Sequence, residues 1–540
     1  MVTESTPTPP PVQTRQMTLG WWNLYFLIKL GLYYQGTIDF HLLENLCFLC
    51  LLLIPLEKSA FRIIRGIVAV PIALWLLHFD SYLPPLSRLT SQLDQLLTFE
   101  IGYIFELLLR FIPTNALLPL AVLIVGYYFL SRIFRITSIV LVLILITGIS
   151  KLPPESAPRT GITDAPQNTA RVSRDNAGPE SLTDQLDQFF AAETARHVEL
   201  PSELGSRQQF DILLLSICSL SWDDMQVADL ADHPFFQDFD LVFEQFNSAT
   251  SYSGPALLRL TRANCGQPAH NALYQQVDSR CLLFEQLKAR GYDEALVMNH
   301  DGKFDNMLER TRRFGGVDVD LVSQGGLEPR QKAFAGSPVF GDLAMLQRWW
   351  SQRLDNSKPV IALYNSATLH DGNRLIDNPG LKGLTSYKTR ARELLDDLQA
   401  FKQTLRDSGR PVVMVLIPEH GAGLRGDKMQ IAGMREIPSP AITHVPMAVK
   451  LLGKEVQRTG NTARVATPTS HLALTQVLRN IVVADIYGGK GQFSAASLAA
   501  NIPDTRMVSQ NEGSTVMASK GDYFIRLDGG EWTQYPTQNQ

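Results

Sequence analysis

The feature that most limits what this chain can become is the crowding of apolar residues into its first third. Five apolar runs lie at about 20–37, 42–56, 63–79, 116–131 and 137–150. Several are shorter than the ~20 residues that cross a bilayer, so their helices are expected to extend into the flanks. A buried, water-soluble bundle is the competing reading. Five such runs in 150 residues leave too little polar surface for it. The first run has neither a basic start nor a small-residue cleavage site, and more apolar runs follow it, which argues against a cleaved leader.

Charge sets the expected orientation. Lys58, Arg62 and Arg65 follow the second run, and Arg132 and Arg135 follow the fourth. The loop between the third and fourth runs is long and nearly neutral, with Arg88, Asp94 and Glu100. Short basic loops stay in the cytoplasm. With five crossings the N-terminus is then inside, and residues 151 onward are outside. The stretch 99–112 is apolar but carries Glu100, Glu106 and Arg110. It reads as an interfacial helix; a sixth crossing would reverse the topology, against the basic loops. An outer compartment is oxidising, so Cys265 and Cys281, separated by a polar, turn-rich segment, are expected to pair, and Cys218 to stay free. Cys47 and Cys50 lie in an apolar run and read as packing residues.

Residues 153–170 are rich in Pro and read as a linker, followed by an amphipathic helix at about 181–195. This gives a membrane domain at 1–150, a linker and helix at 151–204, and a soluble domain at 205–540. Charged residues are only 19 % of the chain and the net charge is -4, which argues against nucleic-acid binding.

Within the soluble domain, the runs 211–217, 294–298, 359–364 and 412–417 have the composition of buried strands, with helical patterns at 254–264, 274–290, 340–352, 387–405 and 470–483. The alternation predicts an α/β domain with a mostly parallel central sheet. Such sheets place ligands beyond the carboxyl ends of their strands. Cys218 follows the first run. Ser253 precedes Gly254-Pro255 at an expected helix start, with Pro255 in the first helical position. Glu419 and His420 follow the last run, in a glycine-flanked turn, and His370 follows the third. Each has a plain alternative: a buried thiol, a capping serine, two loop residues. Together Cys218, Ser253, Glu419 and His420 offer the mixed S, O and N donors that zinc accepts tetrahedrally.

The stretches SICSLSWDD (216–224), FNSATSYSGPA (246–256), RANCGQPAHNALYQ (262–275), YNSATLHDGN (364–373), LIPEHGAGLRGDKMQIAGMREIPSP (416–440) and ITHVPMAVKL (442–451) closely resemble the bacterial cellulose phosphoethanolamine transferases, a branch of the alkaline phosphatase superfamily. The resemblance spans nearly the whole chain. The related lipid A phosphoethanolamine transferases carry a carboxylate and a threonine where this chain has Cys218 and Ser253. The resemblance implies an alkaline-phosphatase-like fold and a Zn2+ site made by Cys218, Ser253, Glu419 and His420, with Ser253 as nucleophile. It implies that His370 positions the phosphoryl group or handles a proton and that Arg435 pairs with phosphate oxygens, with Tyr252 and His444 lining the pocket. It further implies phosphatidylethanolamine as donor, the glucose 6-hydroxyl of nascent cellulose as acceptor, and work beside the cellulose synthase complex in the inner membrane, with the catalytic domain in the periplasm. Two rivals stand: a phosphodiesterase or sulfatase-like hydrolase of the same superfamily, and a non-catalytic scaffold of the synthase complex.

Overall fold

A computed structural model describes residues 18–35, 38–56, 58–81, 101–110, 114–150, 181–202, 204 and 209–536. The expected linker and the 204/205 boundary fall outside them, apart from residues 181–202 and 204. By contacts the chain divides into two compact units, 1–85 with 109–173, and 86–108 with 174–540.

The N-terminal region is helical: α1 (Trp22–Tyr34), α2 (Leu42–Leu53), α3 (Ser59–Asp80), α4 (Ile101–Arg110), α5 (Thr114–Leu130) and α6 (Ile136–Ser150). Among the described residues only α3 has the length and apolar character to cross a membrane unaided. Its Ile63, Ile67, Val70 and Leu74 are exposed, an outward apolar face that water does not favour. The first unit's core joins Phe26 and Leu30 of α1, Phe48, Leu49 and Leu52 of α2, Ala69, Ala73 and Leu76 of α3, and Val140 and Ile144 of α6. A polar cluster lies inside this shell. Lys29 and Asp80 are both buried, and their ion pair measures 2.7 Å. Lys29 Nζ also donates to Asn45 Oδ1 (2.8 Å) and to the Leu76 carbonyl (3.2 Å). Asn45 Nδ2 donates to Asp80 Oδ2 at 2.8 Å, and the His41 ring lies 2.7 Å from Asp80 Oδ1.

In the second unit, Ser181 caps α7 (Leu182–Ala195), accepting from the Asp184 N–H. The central sheet has seven strands: β1 (Asp211–Ile217), β2 (Leu241–Asn247), β3 (Asp293–Met298), β4 (Val360–Ser366), β5 (Val412–Leu416), β6 (His444–Leu452) and β7 (Ala463–Val465). Their order is β7-β2-β6-β5-β1-β4-β3, and only β6 runs against its neighbours. Every residue of β1 is buried because both faces are covered. Ile212 and Leu214 point to one core, with Leu257 of α9 (Ser253–Thr261) and Val477 and Ile481 of α12 (Leu472–Val483). Leu213, Leu215 and Ile217 point to the other, with Trp349 of α10 (Asp342–Leu354) and Leu394 and Phe401 of α11 (Gly383–Ser408). A short helix, α8 (Trp222–Val227), follows β1.

Two local expectations change. The helix expected at 274–290 is three short pieces, His270–Tyr274, Ser279–Cys281 and Leu283–Lys288. The Cys265–Cys281 disulfide pins this segment back over 16 residues, which breaks a continuous helix. In the C-terminal tail the sequence predicts one strand, Asp522–Leu527, yet that strand lies in a four-stranded antiparallel sheet with Val508–Asn511, Ser514–Ser519 and Trp532–Gln534. Its Val508 and Met517 pack on Leu186 and Phe189 of α7.

Candidate active site

β1 and β5 are parallel neighbours, so the residues just past their carboxyl ends are brought side by side. Cys218 leaves β1 with its N–H on the Ser366 carbonyl, and the Glu419 N–H bonds the Ile217 carbonyl. Ser219 then adopts φ 63, in the left-handed region that few non-glycine residues enter. The turn is locked by the buried Asp224, whose carboxylate accepts from the Ser221 N–H (3.0 Å), the Ser221 hydroxyl (2.8 Å) and the Ala422 N–H (2.6 Å). Gly421 is needed there, since a Cβ would come within 2.5 Å of Ser221 Oγ and 2.7 Å of Asp224 Oδ2.

Ser253 is the first residue of α9, with Tyr252 in the N-cap position. Pro255 is therefore third in the helix, not first as expected; the first-turn N–H groups have no intrahelical acceptor, so proline is tolerated anywhere along them. Ser253 Oγ lies 3.3 Å from His420 Nε2 and 3.5 Å from Cys218 Sγ. Cys218 Sγ is 3.8 Å from His420 Nε2, and Glu419 Oε2 is likewise 3.8 Å from it. Ligand atoms 2.0–2.3 Å from a tetrahedral zinc are separated by roughly 3.3–3.8 Å, so the four groups already have the spread that ion requires. The donor atoms of Cys218, Glu419 and His420 all lie within 4.8 Å of one another, and all three residues are buried.

Hydrogen bonding points the same way. Asn365 Nδ2 donates to Glu419 Oε1, and Ser216 Oγ approaches the same oxygen at 3.5 Å. The other oxygen, Oε2, is buried and has no hydrogen-bond partner among the described residues. A buried carboxylate oxygen without a donor is expensive unless a cation takes it. His420 Nδ1 lies 2.9 Å from the Gly421 carbonyl, which holds the proton on Nδ1 and presents the Nε2 lone pair to Cys218 and Ser253. The residues present fit a divalent metal.

Electrostatics agree. Burial, with the Glu419 charge adding to it, pushes the Cys218 thiol up to about 11, against the pull of Arg435, Ser219 and Ser253. Burial raises the Glu419 carboxyl, though Ser253, Asn365 and Arg435 draw it down. Burial, followed by the Arg435 charge, drives the His420 imidazole well below its ordinary value. A neutral imidazole is ready to ligate, and a cation at this place would favour the ionised forms of the thiol and the carboxyl.

Arg435 Nη1 lies 3.3 Å from Ser219 Oγ and 3.3 and 3.4 Å from the two His420 ring nitrogens, so it sits over the ring and not in line with either lone pair. Burial opposes its charge, but Cys218, Tyr252, Asp371 and Tyr103 together hold it above the ordinary value. His370 stacks on Phe334 with ring centroids 4.4 Å apart, and its Nδ1 is 2.7 Å from the Asp371 carbonyl. Burial and Arg435 lower it to about 3. Tyr252 sends its hydroxyl to Glu436 Oε1 (2.6 Å) beside Arg435. His444 opens β6 and faces the Tyr523 hydroxyl at 3.4 Å; among the described residues it makes no hydrogen bond to the Cys218 cluster. Sequence reasoning missed Asn365, whose Oδ1 also accepts from His300 Nε2 at 2.7 Å. The available signal was its place at the carboxyl end of the 359–364 run.

The class defined by this arrangement is a nucleophile centre: a serine hydroxyl at a helix start, set among thiol, carboxylate and imidazole donors at the carboxyl edge of a mostly parallel sheet. Comparison with known proteins narrows it. Residues 165–532 match the model of the cellulose biosynthesis protein BcsG C-terminal domain, and residues 22–149 match that of its N-terminal domain. The chain is 37 % identical to the cellulose biosynthesis protein BcsG of Salmonella typhimurium over 99 % of both chains. It belongs to the BcsG family of cellulose biosynthesis proteins. Among solved structures it is similar to an alkaline phosphatase superfamily protein from Vibrio parahaemolyticus (TM-score 0.48, 16 % identity, covering 67 % of this chain and 90 % of that one). It is also similar to the C-terminal periplasmic domain of the phosphoethanolamine transferase EptC from Campylobacter jejuni (TM-score 0.36, 12 % identity, covering 55 % and 96 %).

Proposed function

We propose that this protein is a zinc-dependent phosphoethanolamine transferase that moves the head group of phosphatidylethanolamine to the glucose 6-hydroxyl of nascent cellulose. The observation that carries this reading is the convergence of Ser253 Oγ on His420 Nε2 and Cys218 Sγ, beside the partnerless Glu419 oxygen. Family membership supplies the cellulose context. In this reading residues 1–150 form a multi-pass anchor in the bacterial inner membrane, 151–204 a linker and helix, and 205–540 a periplasmic catalytic domain beside the cellulose synthase complex.

Zinc suits one thiolate, one imidazole, one carboxylate and a hydroxyl oxygen, and when bound it supplies the positive charge that lowers the Ser253 hydroxyl pKa and offsets phosphoryl charge. Ser253 Oγ attacks the lipid phosphorus; the Oγ–P bond forms and the bond to the diacylglycerol oxygen breaks, that oxygen leaving with a proton. Arg435 pairs with a phosphoryl oxygen, a role its forked donors suit. No side chain caps α9, so its leading N–H groups are available to a second oxygen. The sugar hydroxyl then attacks the same phosphorus, the Oγ–P bond breaks, and Ser253 is restored. With Nδ1–H donating to the Asp371 carbonyl, His370 passes the sugar proton through Nε2 in this second step, and the proton ends on Ser253 Oγ as the Oγ–P bond breaks. Tyr252 holds the Arg435–Glu436 edge through its bond to Glu436, and His444 lines the pocket farther out.

The test is intact-mass analysis after incubation with the lipid donor alone. A phosphoethanolamine adduct on Ser253, absent from a folded, metal-loaded and inactive Ser253→Ala variant, is expected. An adduct on another residue, or full turnover by Ser253→Ala, would sink the mechanism. Release of free phosphoethanolamine with no labelled cellulose, in the presence of acceptor, would turn the reading into hydrolysis.

A further inference from the structure

The proposed chemistry uses residues from 218 to 444, yet residues 101–108 of α4 cluster with the catalytic unit although they precede two apolar helices in the sequence. Two described side chains of α4 account for this. The Tyr103 hydroxyl donates to Asp371 Oδ2 at 3.0 Å. Glu106 forms an ion pair with Arg374 and lies 3.7 Å from Lys382. The Glu106 and Arg374 side chains are only 17 % and 20 % exposed, so the pair is shielded from solvent more than a surface bridge would be. Tyr103 and Glu106 are three residues apart, hence on one face of the helix.

Their target is the turn that holds His370. Asp371 offers its side chain to Tyr103 and its carbonyl to His370 Nδ1. Gly372 has φ +82, and a Cβ there would meet the Tyr103 ring at 2.6 Å and Phe334 at 2.7 Å. The Tyr103 ring thus lies directly on the backbone of this turn. The Tyr103 and Phe334 centroids are 6.0 Å apart, and Phe334 in turn stacks on His370. From below, Arg390 Nη1 donates to the His370 carbonyl (3.0 Å) and the Thr368 carbonyl (2.6 Å). The turn is clamped between α11 and α4.

We infer that α4 is a working part of the catalytic unit, with Tyr103 as a positioning residue that orients His370 through Asp371 and with the Glu106–Arg374 pair as its fastener. The role given to His370 rests on the transfer reading above; the docking of α4 does not. Because His370 acts on the acceptor, the loss should fall on the second half of the reaction.

The full chain in phosphatidylethanolamine vesicles provides the test, in a Cys47→Ser/Cys50→Ser background. A Glu106→Cys/Arg374→Cys pair should be joined by a short bis-maleimide, whose spacer replaces the reach of the two long side chains, read by peptide mass; no joined peptide would overturn the inference. Tyr103→Phe should lower the kcat of transfer about tenfold, with the donor KM and the rate of Ser253 adduct formation unchanged. Glu106→Arg should lower kcat similarly, and Glu106→Arg/Arg374→Glu should recover most of it. Wild-type kcat in both single variants, or no recovery in the charge swap, would overturn the positioning role. Joining of the two cysteines in the paired variant, alongside a wild-type chain that transfers nothing from lipid, would count against the functional reading, not against the docking.

Discussion

Each unit buries a cluster of polar groups, and the two clusters end differently. In the N-terminal helices, Lys29 and Asp80 neutralise each other, and Asn45, His41 and the Leu76 carbonyl take up further hydrogen-bonding capacity. In the catalytic unit, Glu419 and Cys218 face a neutral imidazole, and Glu419 Oε2 has no donor. The first set is complete within the chain. The second is left open among the described residues, and a cation would complete it. Burial of charge by itself therefore does not mark a site; an unfinished set of partners does.

The sharpest way to break this contrast is to remove a donor from the unfinished set. Cys218→Ala and His420→Ala should each strip or weaken zinc, measured by metal analysis, and lower transfer by about a thousandfold or more. Unchanged zinc and full activity in either variant would refute the assigned ligands. The finished set responds differently. Lys29→Met takes the lysine cation away from buried Asp80 and should cost roughly 3–5 kcal/mol of helical-unit stability, while Lys29→Met/Asp80→Leu should return most of it. Denaturation in micelles reads both; a double variant as unstable as the single one would mean that the cluster is not a self-contained pair.

Asn365→Ala tests the boundary between the two cases. It takes the donor from Glu419 Oε1 and the partner from His300. The expected loss is about 10–100-fold in metal affinity, by competition with a chelator, with zinc stoichiometry retained when the metal is in excess. The smallest effect concerns a buried group with no ionic partner at all. Burial, then Arg259, lowers His471 to about 3. The unfolded chain takes up its proton below about 6.5 and the folded one does not, so stability present above 6.5 is lost as pH falls towards 3. His471→Gln should flatten the change in chemical-denaturation stability between pH 7.5 and 5.5 by about 1.4 kcal/mol.

What could be read in advance follows from the range of the signal. β1, β4 and β5 are mostly apolar runs buried along their whole length, β3 is a shorter apolar run buried at its carboxyl half, and composition alone marks them. Cys218, Glu419 and His420 could be singled out because they stand where such runs end. Ser253 was visible through the Gly-Pro that follows it. Asn365 was hidden inside the apparent end of a strand that continues to Ser366. The Lys29–Asp80 pair was hidden because its members lie on different helices and only packing brings them together. The broken segment at 270–288 shows a covalent bond overriding an apolar periodicity. Tyr103 was out of reach for the same reason as Lys29: its partner is 268 residues away.

The sheet order also fixes a timetable. β1 lies at the middle of the sheet, yet it pairs with Val360–Ser366 on one side and Val412–Leu416 on the other. It cannot be zipped in as it is synthesised, because both neighbours arrive much later and long loops must close first. Cys218 waits for His420, 202 residues downstream. Cys265 and Cys281 are only 16 residues apart and can be joined early. A nascent chain entering an oxidising space would meet them in that order, so early closure of the local bridge removes the two thiols that could otherwise capture the one Cys218 must keep unpaired.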